Sequence, residues 1–163
     1  MNPAPFCLIG IVNVTPDSFS DGGKYIDPCN AVAHGLRLLD EGAGMLDLGA
    51  ESTRPFAEPV PEGEEIARLM PVVARLREQR RDAVLSVDTL KAGTARAALE
   101  GGADIINDVS AWVADPALLD VLAEYKPGYV LMHSQGSPRE MQVNPRYGNV
   151  VEEILAFFEE HLA

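Results

Sequence analysis

Three polar residues that stand directly after short apolar segments are the strongest candidates for chemistry in this sequence. They are Asn13, Asp88 and Asn107. The carboxamide oxygen of Asn13 is a suitable ligand for Mg²⁺, which binds few protein groups beside substrate phosphates. The carboxylate of Asp88 can accept two N–H bonds from the guanidine-like edge of a heterocycle, and Asn107 offers both a donor and an acceptor, which suits a ring amide.

Two polar loops add further candidates. A long loop follows Asn13 and carries Thr15, Pro16, Asp17, Ser18 and Phe19. A second loop carries Thr53 and Arg54, and the planar guanidinium of Arg54 matches the geometry of phosphate oxygens. His133 follows the fifth apolar segment, where we favour a satisfied core histidine over a general base.

Each of these residues also has a structural interpretation that needs no ligand. Asn13 taken alone is better explained as a turn residue, and Asp88 is equally suited to cap a helix that begins near Lys91. Arg54 is compatible with a plain surface charge, and Asp108 with a role in orienting its loop. The functional interpretation gains weight because polar residues follow all five apolar segments, which stability alone does not explain.

Strands and helices alternate in the predicted secondary structure. The strand candidates are short and lack in/out alternation, which is typical of parallel strands buried on both faces; they are residues 7–12, 45–48, 83–87, 104–106 and 129–132. The helix candidates are residues 31–41, 64–79, 91–100, 116–125 and 149–162, and Asp115 is expected to cap the fourth. The alternation predicts a parallel α/β architecture, with the polar strand ends on one rim.

The number of βα units leaves two folds open. Eight such units make a TIM barrel of about 250 residues, whereas five make an open sheet or part of a barrel. A complete flavodoxin-like domain fits the length of 163 residues equally well. The motifs favour the first fold, an α/β (β/α)8 TIM barrel of which residues 1–163 supply about the first five βα units, as the N-terminal portion of a single domain.

Composition narrows the class of function. The formal net charge is −12 and no large basic cluster argues for nucleic-acid binding. No apolar run is long enough for a membrane span, and two cysteines are too few for a disulfide framework, so a reducing cytoplasm is expected. Neither a P-loop, a G-x-G-x-x-G after the first strand, nor a zinc-spaced Cys/His cluster occurs in the sequence.

Five sequence blocks together resemble one known family. They are residues 10–23 (GIVNVTPDSFSDGG), 47–55 (DLGAESTRP), 86–91 (SVDTLK), 102–110 (GADIINDVS) and 131–145 (LMHSQGSPREMQVNP). In their order and spacing they resemble the dihydropteroate synthase family of folate biosynthesis, over nearly the whole chain. The resemblance implies a TIM barrel that condenses 6-hydroxymethyl-7,8-dihydropterin pyrophosphate with 4-aminobenzoate, giving 7,8-dihydropteroate and pyrophosphate.

The resemblance also implies a role for each matched residue. Asn13 would bind Mg²⁺ near the pyrophosphate, which Thr53 and Arg54 would contact. Asp88 and Asn107 would hold the pterin ring, and together with Arg54 they would form the catalytic set. The loops around 14–23 and 51–58 would close over the site and shape the aminobenzoate pocket; their expected substrate-binding residues include Thr15, Pro16, Asp17, Ser18 and Phe19.

The resemblance ends before the family's last motifs. Members carry another pterin-binding aspartate, a lysine and an arginine-x-histidine pair, and nothing in 146–163 matches them. We therefore expect an inactive or nearly inactive chain that exposes sheet edges and an apolar barrel interior. Such a chain is expected either to pair with a second copy, as a homodimer, or with another chain, or to be part of a longer protein. Two alternatives stay open, a methyltetrahydrofolate-binding domain for corrinoid methyl transfer and a non-catalytic pterin-binding fragment.

Overall fold

The fold is an alternation of parallel strands and helices. The computed structural model describes residues 6–15, 27–51, 59–136 and 144–162. The elements in chain order are β1 (Ile9–Asn13), α1 (Pro28–Asp40), β2 (Met45–Gly49), α2 (Glu62–Gln79), β3 (Val84–Asp88), α3 (Ala92–Glu100), β4 (Ile105–Asp108), α4 (Leu118–Tyr125), β5 (Gly128–Leu131) and α5 (Val150–His161). Every strand and helix predicted from the sequence is present, with bounds that differ by a few residues.

The five strands form one sheet in the order β1-β2-β3-β4-β5, and all neighbours are parallel. A flavodoxin-like sheet has the order 2-1-3-4-5, in which the chain reverses direction after the first unit. The sequential order instead matches an arc of a barrel, where each strand lies beside the next one in the chain. The α/β class is confirmed, and the flavodoxin-like alternative is wrong for this sheet.

The two faces of the sheet differ sharply in solvent exposure. One face packs under the helices, and its side chains are fully buried; they include Leu46, Leu48, Leu85, Val87 and Ile106. The opposite face carries Ile9, Ile11, Val84 and Val130, which are 53%, 52%, 37% and 43% exposed. The prediction that both faces are buried is therefore wrong, because right-handed crossovers in a sequential sheet place the packed helices on the same side. The exposed apolar face agrees with the interior expected of an incomplete barrel.

Glycine allows the first helix to approach the sheet closely. A Cβ at Gly10 in β1 would lie 2.9 Å from Cδ2 of Leu46 and 3.0 Å from Cβ of Leu38 in α1. Gly35 in α1 faces the same contact, since its Cβ would lie 3.0 Å from Cδ1 of Leu46. The backbone of α1 therefore approaches β1 and β2 closely, because neither glycine places a side chain between the helix and the sheet.

Asp115 organises the starts of two helices. Its Oδ2 accepts a hydrogen bond from the backbone N–H of Ala92 at 2.8 Å, the first residue of α3, and its Oδ1 accepts one from Ala117 at 3.2 Å. Helix α4 begins at Leu118 rather than at Pro116. The prediction that Asp115 caps a helix starting at Pro116 is therefore wrong in position, because its side chain closes the turn before α4 and serves α3 as well.

The last helix packs through aromatic rings. The ring of Phe157 meets that of His133 edge-on with centroids 4.9 Å apart, and the ring of His161 lies 5.1 Å from that of Trp112. His133 is half-buried in these contacts, which supports the packing role predicted for it.

Among the helices in the described ranges, none is long and apolar enough to cross a membrane.

Candidate active site

Five residues near the carboxyl ends of the strands are aligned in one row across the sheet. Four of them belong to the predicted site motifs. Asn13 is the partner of Gly49, Gly49 of Asp88, Asp88 of Asn107, and Asn107 of Val130. Register partners in a parallel sheet point to the same face, and neighbouring strands lie about 4.8 Å apart. Asp88 and Asn107 are therefore adjacent, and Asn13 stands about 10 Å from Asp88 across Gly49. The row lies at the carboxyl edge of the face that the helices leave uncovered.

Asp88 is an ionisable group held without a hydrogen-bonding partner in the described part of the chain. Burial raises its pKa from 3.8 to about 7, and repulsion from Asp47, Glu65, Asp108 and Glu51 adds to the effect. The interpretation of Asp88 as a helix cap is wrong, since α3 begins after Lys91 with no side-chain cap bond. An unpaired carboxyl with a pKa near neutrality is typical of functional sites.

Asn107 is tied to a residue that sequence reasoning missed. Its Nδ2 donates to Oδ2 of Asp47 at 3.0 Å, and Ser86 Oγ donates to Oδ1 of the same carboxylate at 2.6 Å. The backbone carbonyl of Asn107 accepts from the N–H of Thr89 at 3.1 Å. The available signal was a charged residue inside an otherwise apolar strand, since β2 reads MLDLG.

Gly49 keeps space open beside Asp88. A Cβ at this position would lie 3.6 Å from both Cβ and Oδ2 of Asp88, which is ordinary van der Waals contact. The missing side chain therefore leaves a gap in the row between Asn13 and Asp88. A ligand that contacts both residues would pass over this glycine backbone.

A buried ion pair lies next to the carboxyl edge of the sheet. Lys91 Nζ lies 2.7 Å from Oε2 of Glu65 and also pairs with Glu51, the residue that follows Ala50 after β2. Burial lowers the pKa of Lys91, but its hydrogen bonds to Glu51 and Glu65 outweigh that effect and leave the pKa above 10.5. Glu65 is fully buried, and Thr94 Oγ1 also donates to its Oε2 at 3.2 Å. This pair joins α2 and α3 to the end of β2, and no local sequence pattern predicted it.

Asp108 organises the loop after β4, as its structural interpretation predicted. Its Oδ1 accepts from the N–H and the hydroxyl of Ser110, and its Oδ2 accepts from Trp112 N–H and Tyr129 Oη. Burial, followed by the hydrogen bond to Asp108, raises the pKa of the Tyr129 phenol. With its oxygens occupied in this way, Asp108 is a loop anchor, and Asn107 next to it is left to face the site.

Asn13 is exposed at the end of β1, and its side chain makes no hydrogen bond within the described ranges. In those same ranges, no group of three or more His, Cys, Asp or Glu side chains is arranged to hold a metal ion. Thr15 is half-buried just beyond Val14, whose N–H donates to the carbonyl of Gly49 at 2.7 Å. The other predicted site residues lie outside the described residues; they are Pro16, Asp17, Ser18, Phe19, Thr53 and Arg54.

Comparison with known proteins gives a consistent result. The profile of the family described as "Pterin binding enzyme" matches residues 9–163. Dihydropteroate synthase from Mycobacterium leprae is 46% identical over 157 residues, which cover 96% of this chain and 55% of that protein. The chain spans about half the length of the curated relatives it matches.

Two solved structures extend the likeness to three dimensions. Dihydropteroate synthase from Xanthomonas albilineans with 4-aminobenzoic acid superposes with a TM-score of 0.83 at 48% identity, covering 95% of this chain and 54% of that one. The same organism's enzyme in complex with 7,8-dihydropteroate gives a TM-score of 0.78 at 45% identity, covering 95% and 53%. Sequence and fold therefore point to the same relatives.

Proposed function

The chain belongs to the family of pterin binding enzymes, and from that premise we propose that it forms part of the active site of a dihydropteroate synthase. The reaction joins 6-hydroxymethyl-7,8-dihydropterin pyrophosphate to 4-aminobenzoate and releases 7,8-dihydropteroate and pyrophosphate. The proposal draws support from relatives that bear this name at 46% and 42% identity.

The observation that carries the proposal is the adjacency of Asp88 and Asn107 in register at the open edge of the sheet. A pterin ring presents a guanidine-like edge with two N–H donors, which a carboxylate can accept side by side. The carboxyl of Asp88 has no partner among the described residues, so these donors would meet an unsatisfied acceptor. A relative binds 7,8-dihydropteroate, which contains the same ring.

The chemistry requires charge stabilisation more than proton transfer. The bond between the pterin methylene carbon and the pyrophosphate oxygen breaks, and the amine nitrogen of 4-aminobenzoate forms a bond to that carbon and then loses a proton. Positive charge spreads from the methylene into the ring as pyrophosphate leaves, and an ionised Asp88 at the far edge of the ring offsets it. Because an arylamine is already a nucleophile, no strong general base is required, which agrees with the packing role of His133.

The ionisation of Asp88 couples to ligand binding. Its pKa of about 7 in the free protein means that protonated and ionised forms coexist near neutrality. Two N–H donors from the ring favour the ionised form and would lower this pKa in the complex. Asp88 therefore binds the ring best after it has lost its proton.

Asn13 is the proposed ligand for Mg²⁺. Its carboxamide oxygen is exposed and unpaired within the described ranges, and one protein oxygen suits a cation that otherwise binds phosphate oxygens and water. Bound Mg²⁺ would neutralise charge on the leaving pyrophosphate. Thr53 and Arg54 stay predicted to contact the pyrophosphate, and Thr15 together with Pro16, Asp17, Ser18 and Phe19 the aminobenzoate side.

A binding experiment separates these roles. We would titrate the chain with 6-hydroxymethyl-7,8-dihydropterin pyrophosphate by calorimetry, with and without Mg²⁺. Asp88→Asn should weaken binding under both conditions, whereas Asn13→Ala should abolish only the gain from Mg²⁺. Asp120→Asn on the exposed side of α4 is the matched control. Binding that is indifferent to Mg²⁺ and to Asn13 would favour a pterin-only module, and binding indifferent to Asp88 would refute the proposed site.

Three properties expected from the sequence stay predictions. They are the low turnover of these 163 residues by themselves, the self-association of the open sheet, and the cytoplasmic location. Turnover can be checked by pyrophosphate release and self-association by light scattering. A monodisperse monomer would contradict the second of these predictions.

A further inference from the structure

Asp47 occupies an unusual position in the sheet. It lies in the middle of β2, is the register partner of Ser86, and precedes Gly49 by two residues, so it faces the same side as the row that contains Asp88. Its Oδ1 accepts from Ser86 Oγ at 2.6 Å and its Oδ2 from Asn107 Nδ2 at 3.0 Å. One carboxylate thus links three neighbouring strands just beneath the site.

The contact fixes which way the amide of Asn107 points. If the amide turned over, its carbonyl oxygen would face the carboxylate of Asp47, and two acceptors would repel each other. The observed orientation leaves the carbonyl oxygen of Asn107 without a hydrogen bond from the described residues. That oxygen remains as an acceptor beside the carboxyl of Asp88, its register neighbour.

We propose that Asp47 is a positioning residue that holds the Asn107 carbonyl oxygen as an acceptor for a ring N–H of the pterin, an inference that rests on the proposed function. A hydrogen bond to an ionised carboxylate is stronger than one between neutral groups, so it locks the amide more firmly. Ser86 is almost fully buried, at 1% exposure, and holds the second oxygen of Asp47 in place.

The alternative is a purely structural role, in which Asp47 only holds the neighbouring strands together. In that case its removal would weaken the sheet and lower ligand affinity independently of Asn107. A positioning role predicts instead that the effects of the two residues are not additive, because each acts through the same contact. A double-mutant cycle on ligand binding distinguishes the two roles.

The cycle uses 6-hydroxymethylpterin as the probe, with affinity measured by fluorescence at fixed pH. Asp47→Ala and Asn107→Ala should each weaken binding about tenfold, in the range of one hydrogen bond. The double variant should bind no more weakly than Asn107→Ala alone. Asp47→Asn should restore most of the affinity, since its carbonyl oxygen can still accept from Asn107. Additive losses would overturn the proposal, and so would a failure of Asp47→Asn to restore binding.

A second variant guards against loss of the fold. Asp47→Ser keeps a polar side chain at this position but lacks the second oxygen, the one that accepts from Asn107 Nδ2, so it should match Asp47→Ala in affinity while staying folded by circular dichroism. Nuclear magnetic resonance of the Asn107 side-chain amide gives a readout that needs no ligand. Its Nδ2 proton signals should shift in Asp47→Ser and stay close to wild type in Asp47→Asn. An unshifted signal in Asp47→Ser would contradict the proposed contact.

The outcomes also separate this inference from the proposed function. If Asn107→Ala binds the probe as tightly as wild type, or if the wild-type chain does not bind it, the proposed function fails. If Asn107→Ala weakens binding but Asp47→Ala does not, only the positioning role of Asp47 fails. Asp120→Asn serves again as the control for a lost surface carboxylate.

Discussion

Lys91 Nζ lies 2.7 Å from Oε2 of Glu65, a carboxylate with no exposed surface, and the same ammonium pairs with Glu51. The other oxygen of Glu65, Oε1, has no partner within the described ranges. The charge of Glu65 is therefore compensated chiefly by Lys91. Removing the lysine would leave a buried carboxylate without its cation, which is costly in proteins.

We expect Lys91→Met to lower the free energy of unfolding by about 3 kcal/mol. The matched control is Arg96→Met, which breaks the more exposed pair with Glu124 and should leave the urea midpoint nearly unchanged. Urea titration followed by circular dichroism measures both. Equal midpoint shifts in the two variants would show that burial of Glu65 does not set the strength of its ion pair.

Asp88 should make the protein less stable as pH rises from 3.8 to about 7. Over this interval the folded protein keeps a proton on Asp88 that the unfolded chain releases, so the folded state binds more protons and stability falls with pH. Asp88→Asn cannot titrate. The variant should therefore match wild type near pH 4 and exceed its unfolding free energy by about 1–3 kcal/mol at pH 8. Urea titrations at both pH values test this, and parallel pH dependences would contradict it.

Ligand affinity should show the opposite dependence on pH. Under the proposed function the ring donors bind the ionised carboxyl, so affinity for 6-hydroxymethylpterin should rise about tenfold per pH unit below pH 7 and level off above it. Asp88→Asn should bind the probe weakly, and its affinity should change little between about pH 5 and pH 7. Fluorescence titrations across this range give the measurement, and a flat wild-type profile would rule out coupling to Asp88.

Replacing Gly49 should weaken ligand binding without destabilising the fold. Gly49→Ala places a methyl group in ordinary contact with Asp88, 3.6 Å from its Oδ2, and fills the gap in the row. Stability should stay level or rise by about 0.5 kcal/mol, because alanine restricts the unfolded chain, while affinity for the pterin falls.

A matched substitution on the opposite face gives the control for Gly49. Gly10→Ala would bring a Cβ to 2.9 Å from Leu46 and 3.0 Å from Leu38, so it should cost about 1–3 kcal/mol through overpacking. The pair is measured by urea titration and by binding. An alanine at position 49 that destabilises as much as one at position 10 would show that Gly49 serves packing.

Local patterns in the sequence determined the strands and helices and the positions of the candidate site residues within them. Short apolar segments separated by helical periodicity predicted all five strands and helices, because both signals are local in the chain. The sequence also predicted that Asn13, Asp88 and Asn107 lie at strand ends, since each polar residue directly follows an apolar segment. Their gathering at one edge followed from the rule that parallel strands end on the same side.

Only the tertiary structure decided the strand order, the burial of one face and the charges that tune Asp88. The order β1-β2-β3-β4-β5 depends on which strands pair, and five βα units are compatible with more than one pairing. Asp47 contacts a residue 60 positions away, and Lys91 contacts residues 26 and 40 positions away. Such contacts leave no periodic trace in the sequence, because they arise when separate strands and helices pack together in space.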